Sequence, residues 1–364
     1  MTVKERKYCL AFSCFPLIGP KKFFLLKRYF GSAEKAWEAK REDLLKIGFS
    51  EKLVSSFVEF REKFDLSSYI LRLKKLGIET IFFEDKNYPK NLKNIDGEPF
   101  LIYTLGQFSA RDSIALGVVG TRKITSYGRQ VTEKLVSELV SSGLTIVSGL
   151  AYGVDFVAHY TALETGGRTI GVWAGGLDSV FLGFRKNLVE KILKEGKGVI
   201  VSEYPLGFFP KRQTFPQRNR IISGLSLGVL VTEAAEDSGA LLTANFAKSQ
   251  GRPVFAVPGP ITSPLSAGTA KLLKSGAKLV YNVKDILEEL DISQKVKCLA
   301  AREILPEGKD EEIILNLLRN EEKHIDQIIK ESGFKSAKVA ETLTLMEIKG
   351  KIKSLGGGRY AIRH

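Results

Sequence analysis

Ile114-Ala-Leu-Gly-Val-Val-Gly120-Thr-Arg-Lys-Ile-Thr-Ser-Tyr-Gly128 is the stretch that decides the fold. An apolar run without alternation, Ile114–Val119, stops at a glycine, and Ser126-Tyr127-Gly128 then opens a helical pattern. That pattern, Tyr127–Ser142, repeats apolar residues at Val131, Leu135, Val136, Leu139 and Val140. A run of this kind is a strand buried on both faces. Glycine after such a strand lets phosphate approach the backbone, where the following helix presents its unpaired N–H groups. The spacing lacks the full dinucleotide fingerprint, and Arg122 occupies the turn itself. An arginine there either forks onto a phosphate or stands in solvent.

Outward from this unit the same alternation recurs. Apolar runs ending in small residues lie at Leu144–Gly149, Thr169–Ala174, Val199–Ser202, Val229–Thr232 and Val254–Val257, with helical patterns between them. Alternation of this type predicts an extended Rossmann-like, doubly wound parallel sheet over residues 66–290, with 66–109 adding a preceding helix and strand. Before it, residues 1–65 read as short helices broken at Gly19-Pro20, Gly31-Ser32 and Gly48, a small domain of SAM or helix-hairpin-helix type. Ile18-Gly19-Pro20-Lys21-Lys22 resembles one such hairpin turn, although a lone Gly-Pro turn does not make the domain a DNA binder by itself. Pro306 and Gly308 mark a linker over 291–309. Residues 310–364 read as helices at 310–319, 324–332 and 336–349, a strand at Lys351–Leu355, Gly356-Gly357-Gly358, and a strand at Arg359–Arg363, the order of a winged helix. Lys335 and Lys338 on its third helix are offset by Glu341 and Glu347, which favours an accessory or protein-contact role over groove reading.

Composition narrows the partner. The formal charge is +14, spread as 14 basic against 9 acidic residues over 1–65, 27 against 20 over 66–290, and 14 against 12 over 291–364. Such an excess fits a polyanionic partner, or a lysine-rich proteome that drifts basic throughout. No stretch approaches the ~18 apolar residues of a membrane span. Lys4, Arg6 and Lys7 precede apolar Cys9–Phe15 in the manner of a signal sequence, but the run stops at Pro16 without a cleavage site and reads as a core helix. Cys9, Cys14 and Cys298 make neither a disulfide framework nor a metal cluster, which suits a reducing cytoplasm.

Two further stretches carry chemistry. Residues 204–232 form a 29-residue segment without a carboxylate, holding Lys211, Arg212, Arg218 and Arg220 together with Phe208, Phe209 and Phe215. Cations interleaved with rings are what single-strand binding needs, since the cations hold the backbone while the rings stack on bases. Read as a loop after the strand that ends at Ser202-Glu203-Tyr204-Pro205, the segment sits on the same rim as the glycine turns, with at least one phenylalanine expected in the core. Ser148-Gly149-Leu150-Ala151-Tyr152-Gly153-Val154-Asp155 repeats the strand–Gly–helix logic, and Asp155 and His159 stand four apart on one helix face. They offer an acid/base or metal pair, yet no third ligand joins them. The reading adopted is a loop-orienting Asp155 and a hydrogen-bonded structural His159, with no cofactor or metal.

Gly120-Thr121-Arg122, Ser148-Gly149-Leu150-Ala151-x-Gly153-Val154-Asp155-x-x-Ala158-His159, Gly175-Gly176-Leu177-Asp178 and Ser202-Glu203-Tyr204-Pro205 come in the order seen in the DprA/Smf family, which the chain resembles. Phe215-Pro216-x-Arg218-Asn219-Arg220-Ile221-Ile222-Ser223-Gly224-Leu225-Ser226, Ser238-Gly239-Ala240-Leu241-x-Thr243-Ala244 and Val257-Pro258-Gly259 extend the likeness over roughly residues 80–290. The resemblance implies a non-enzymatic cytoplasmic protein that binds single-stranded DNA in natural transformation, shields it and helps load RecA recombinase, usually as a homodimer. Carried over by position, Arg122 contacts phosphate, with Gly120, Thr121, Lys123 and Gly149 shaping the phosphate turns. Arg212, Phe215 and Arg218 line the DNA pocket beside Lys211, with Phe215 the stacking ring. Asn219 and Arg220 support the loop, and Glu203 orients it. The chain departs from the family pattern where Phe181-Leu182-Gly183-Phe184-Arg185 replaces Tyr-Pro-x-x-Asn, and where Gly268-Thr269-Ala270 replaces Gly-x-Asn. Two rivals share parts of the pattern: a LOG-type nucleoside-monophosphate hydrolase on the same fold, and a winged-helix regulator of duplex DNA. Against the first, Glu233, Glu236 and Asp237 would repel phosphate unless turned away.

Overall fold

A computed structural model describes residues 1–292, 308–318, 321–348 and 351–362. They fall into two compact units, 1–290 and 291–364. The linker expected at 291–309 lies mostly on residues 293–307, outside the described residues.

The first unit opens with five helices, α1 (Val3–Ser13), α2 (Pro20–Phe30), α3 (Ala33–Glu38), α4 (Arg41–Lys46) and α5 (Glu51–Lys63). Local chemistry sets their ends. The side chains of Thr2, Ser32 and Ser50 accept bonds from backbone N–H groups at the starts of α1, α3 and α5. Pro20 begins α2, and Gly31 ends it at a φ of +85°. Inside, Phe12 lies flat against Phe57 and edge-on to Trp37 and Phe23. Phe23 in turn stacks on Phe100 with ring centroids 3.8 Å apart. The helices therefore share one apolar cluster with Tyr103, Trp173 and Leu206 of the following sheet region. Cys9 and Cys14 lie in it, and burial pushes their thiols up to about 12 and about 11.

After α6 (Leu66–Lys75) come nine strands that form one sheet: β1 (Glu79–Phe82), β2 (Leu101–Gly106), β3 (Ala115–Val119), β4 (Thr145–Ser148), β5 (Thr169–Val172), β6 (Gly198–Ser202), β7 (Val229–Val231), β8 (Val254–Ala256) and β9 (Lys278–Leu279). Their order is β1-β2-β6-β5-β4-β3-β7-β8-β9. Every pair from β6 to β9 is parallel, while β1 with β2 and β2 with β6 are antiparallel. Residues 66–109 thus supply two strands rather than one, and no long crossover helix joins them, so the chain returns antiparallel at this edge.

Alternate residues of the strands face different layers. Tyr103, Leu105 and Ile200 pack into the cluster of the N-terminal helices, α8 (Val154–Glu164) and α9 (Lys186–Leu193). Ile102, Val199 and Val201 pack with α10 (Thr214–Leu225) and α11 (Gly239–Ser249). α7 (Ser126–Ser141) lies against α8. From β3 the chain moves one way to β4, and from β7 the other way to β8. The carboxyl ends of the neighbouring strands β3 and β7 are therefore the crevice where a doubly wound sheet takes its ligand.

The carboxylate-free segment is irregular only to Gln213, because α10 begins at Thr214. Pro216 falls in its first turn, where a missing N–H breaks no helical bond. α12 (Ala267–Lys274) and α13 (Lys284–Glu289) complete the unit.

In the second unit, α14 (Lys309–Leu318), β10 (Lys323–His324), α15 (Ile325–Ser332), α16 (Ser336–Ile348), β11 (Ile352–Gly356) and β12 (Arg359–Ile362) surround a core of Ile314, Leu315, Ile328, Val339, Leu343, Met346 and Ile352. The strands order as β10-β12-β11, so β10 adds to the hairpin read from sequence. The hairpin turns at Gly356-Gly357-Gly358, all at positive φ.

Candidate nucleic-acid interface

The turn after β3 is held from beneath. Thr121 N donates to the Glu233 carbonyl at 2.7 Å, and Val154 N donates to the Thr121 carbonyl at 3.1 Å. The Glu233 carboxylate accepts from Thr125 N at 2.9 Å and from the Thr125 hydroxyl at 2.6 Å. Thr125 Oγ1 then accepts from Gly128 N at 3.0 Å and caps α7. Glu233, only 3% exposed, is thereby turned away from the crevice. Gly120 is required by contact: a Cβ there would meet the Val154 side chain at 2.5 Å and the Glu233 carbonyl at 2.7 Å. Sequence reading treated Glu233 as an obstacle to phosphate and missed its role as a brace. The signal was the threonine five residues past the strand-ending glycine.

Above this brace opens a cleft of about 940 Å³ between β3, β7 and the start of α10. Arg122 and Lys123 form one wall, Arg212 and the half-buried Phe215 the other. The Arg122 guanidinium lies 5.4 Å from the centre of the Phe215 ring. Lys211 stands beside them with its ammonium 5.6 Å from the Phe208 ring. Among the described residues, none of Arg122, Lys123, Lys211 and Arg212 is engaged by a carboxylate. α11 begins at the far side, where Ser238 Oγ accepts from Ala240 N at 3.3 Å and Gly239, Ala240 and Leu242 of the first turn line the cleft. Asp237 borders the same side.

Three residues expected in the pocket lie deeper. Arg218 is 3% exposed, and its Nη1 donates to the Val172 carbonyl at 2.6 Å and to the Gly149 carbonyl. Nε donates to Asn219 Oδ1 at 3.1 Å. Arg218 thus clamps the ends of β4 and β5 to α10 and floors the cleft. Gly149 has no Cβ because the Arg218 guanidinium fills that space. Asn219 donates to the Gly239 carbonyl at 3.3 Å, and Arg220, buried, pairs with Glu203 away from the cleft. The reason is the helix. Packed between the sheet, α11 and residues 90–94, α10 buries consecutive residues that a loop would have left exposed. No phenylalanine of the segment is fully buried: Phe209 is exposed, and Phe208 stacks on Tyr204 at 4.7 Å.

Asp155 is buried beside Arg218, and burial raises its carboxyl above the usual range, with the Arg218 charge acting against that rise. His159 Nδ1 lies 2.7 Å from Thr169 Oγ1, whose own proton goes to the Ile146 carbonyl at 2.8 Å. Burial pushes His159 down to about 3, so it is neutral and ties α8 to β5. Burial raises Glu203 as well, with Arg220 opposing. Among the described residues no three His, Cys, Asp or Glu side chains gather as metal ligands. No helix among them is long and apolar enough to cross a membrane. Next to Gly149, buried Leu150 adopts a φ of +54°, a strained backbone one residue before Ala151, which lines the cleft.

The family described as DNA recombination-mediator protein A matches residues 79–291, and the DprA winged helix domain matches 299–358. Protein Smf of Escherichia coli is 35% identical over 338 residues, 90% of each chain. DNA processing protein DprA of Bacillus subtilis is 42% identical over 218 residues, 60% of this chain and 73% of that one. The X-ray structure of DprA from Streptococcus pneumoniae aligns with a TM-score of 0.67 at 33% identity, over 79% of this chain and 98% of its own. DNA processing protein A from Helicobacter pylori, solved for its single-stranded DNA binding mode, aligns at 0.52 and 31% identity, over 58% and 95%.

Proposed function

The chain belongs to the DNA recombination-mediator protein A family, and from that premise we propose that it grips single-stranded DNA in the cleft between β3 and β7. The observation that carries this reading is Arg122 poised over Phe215 in a cleft walled by cations that, among the described residues, no carboxylate engages. Arg122, Lys123, Lys211 and Arg212 hold phosphates. The first turn of α11 adds backbone donors. Phe215 stacks on a base, which requires the base to be unpaired, because in a duplex both ring faces are covered. The relative from H. pylori, described for binding single-stranded DNA, favours the same ligand.

The protein acts by binding rather than turnover. Asp155 and His159 are spent on internal bonds, and Glu233, the carboxylate nearest the β7 turn, braces Thr125. In this reading the protein works in the cytoplasm during natural transformation as a homodimer, shielding the incoming strand and helping to load RecA recombinase. In this reading residues 1–65 and 310–364 are accessory to the binding region at 66–290.

Fluorescence anisotropy with single- and double-stranded oligonucleotides across a salt series tests the proposal. Single strands should bind far more tightly, with log K falling linearly in log salt at about 0.7 per phosphate contact. Duplex preference, or release of free base from nucleoside monophosphates, would overturn it.

A further inference from the structure

A second aromatic patch lies next to the cleft, outside every residue assigned above. Tyr152 follows β4 at the mouth of α8 and is 58% exposed. Its ring stacks on Phe184 with centroids 3.5 Å apart and planes within 17°. The Arg185 guanidinium lies 4.6 Å from the Phe184 ring and 4.5 Å from the Trp173 ring, and its Nε has no hydrogen-bond partner. Arg122 joins the two places: it walls the main cleft and also a groove of about 460 Å³ lined by Lys123, Arg129, Tyr152 and Phe184. Nearby acids are engaged, Glu133 by Arg129 at 3.3 Å and Glu190 by Lys186 at 4.0 Å. At the far end of α8, Glu164 pairs with Lys191 of α9, which closes that end to an anion.

We propose that Tyr152, Phe184 and Arg185 form a second stacking subsite for single-stranded DNA, reached by the strand as it passes over Arg122. The inference rests on the reading of the main cleft. Stacked rings give an extended π surface, and the solvent-facing side of Tyr152 is where the next unpaired base lies. Arg185 stiffens the platform through Phe184. Burial and, secondarily, the Arg122 charge disfavour the charged Arg185 guanidinium, and a phosphate bound beside it offsets both. Phe184 and Arg185 fall in the segment Phe181–Arg185, where the chain departs from the Tyr-Pro-x-x-Asn pattern.

The test uses the full chain and labelled oligothymidylates from about 4 to about 16 nucleotides long. Wild-type affinity should climb with length as the second subsite fills. Tyr152→Ala and Phe184→Ala should bind the shortest strand as wild type does and the longest about ten-fold more weakly, whereas Tyr152→Phe keeps the gain. Phe215→Ala should weaken every length. If Phe215→Ala weakens binding while Tyr152→Ala and Phe184→Ala follow wild type at all lengths, the second subsite is refuted and the main cleft stands. If wild type binds no single strand, both fall. Photocrosslinking of wild-type protein to 5-iodouracil-bearing strands is independent of how the variants fold. Adducts at Tyr152 support the subsite, and adducts confined to Phe215 overturn it.

Discussion

Arg122 walls the cleft, Arg218 floors it, and the two do different work. Arg122 is exposed and, among the described residues, engaged only by the face of Phe215, so its charge is available to a ligand. Arg218 spends its guanidinium on two strand-end carbonyls and on Asn219 beside buried Asp155, and burial lowers it to about 10. Arg122→Ala should leave thermal stability unchanged and flatten the salt slope of single-strand binding by about 0.7. Phe215→Ala should weaken binding by about 1–3 kcal/mol at an unchanged slope, because stacking releases no counterion. Arg218→Ala strands Asp155 and two carbonyls in the interior. It should lower stability by about 3–5 kcal/mol, visible as a large drop in Tm. An Arg218→Ala protein that melts like wild type would show that the clamp is unimportant.

At the scale of elements, the parallel strands were legible because each is an apolar run closed by a small residue, and the crevice followed from their order. α10 was not legible. Pro205, Gly207 and Pro210 punctuate its approach, Pro216 falls in its first turn, and arginine is ordinarily a surface residue. Nothing local announces that α11 and residues 90–94 will cover it. The antiparallel edge was hidden for a similar reason, since the pairing of β2 with β6 joins residues about a hundred apart. One bond between elements has a pH signature. His159 joins α8 to β5 in neutral form at about 3, against its ordinary 6.5 once the chain unfolds. As pH falls the unfolded chain takes the proton first. Stability from this group is therefore complete above about pH 6.5 and declines below it, by about 2 kcal/mol at pH 5. Urea titrations at pH 7.5 and pH 5 should show a smaller loss in His159→Gln than in wild type. Equal losses would mean that the histidine is already charged in the fold.

For the whole molecule, the net charge of +14 is a poor guide to where the ligand binds, because it is spread along the chain. What concentrates it is geometry: the carboxylate-free segment and the turn after β3 meet at one rim. All these cations belong to the first unit, which has its own core. A protein ending at residue 290 should keep single-strand affinity within about three-fold and an unchanged salt slope, since no phosphate contact is removed. Loss of the slope on removing 291–364 would move the binding surface to the winged helix. The opening helices are a different matter. Phe23 lies flat on Phe100, and Phe12, Trp37 and Phe57 complete the same cluster, so these helices roof the antiparallel margin of the sheet. Heating will not shed them ahead of the strands beneath, and a chain trimmed to begin at α6 would emerge from the ribosome with an oily wound in place of its flank.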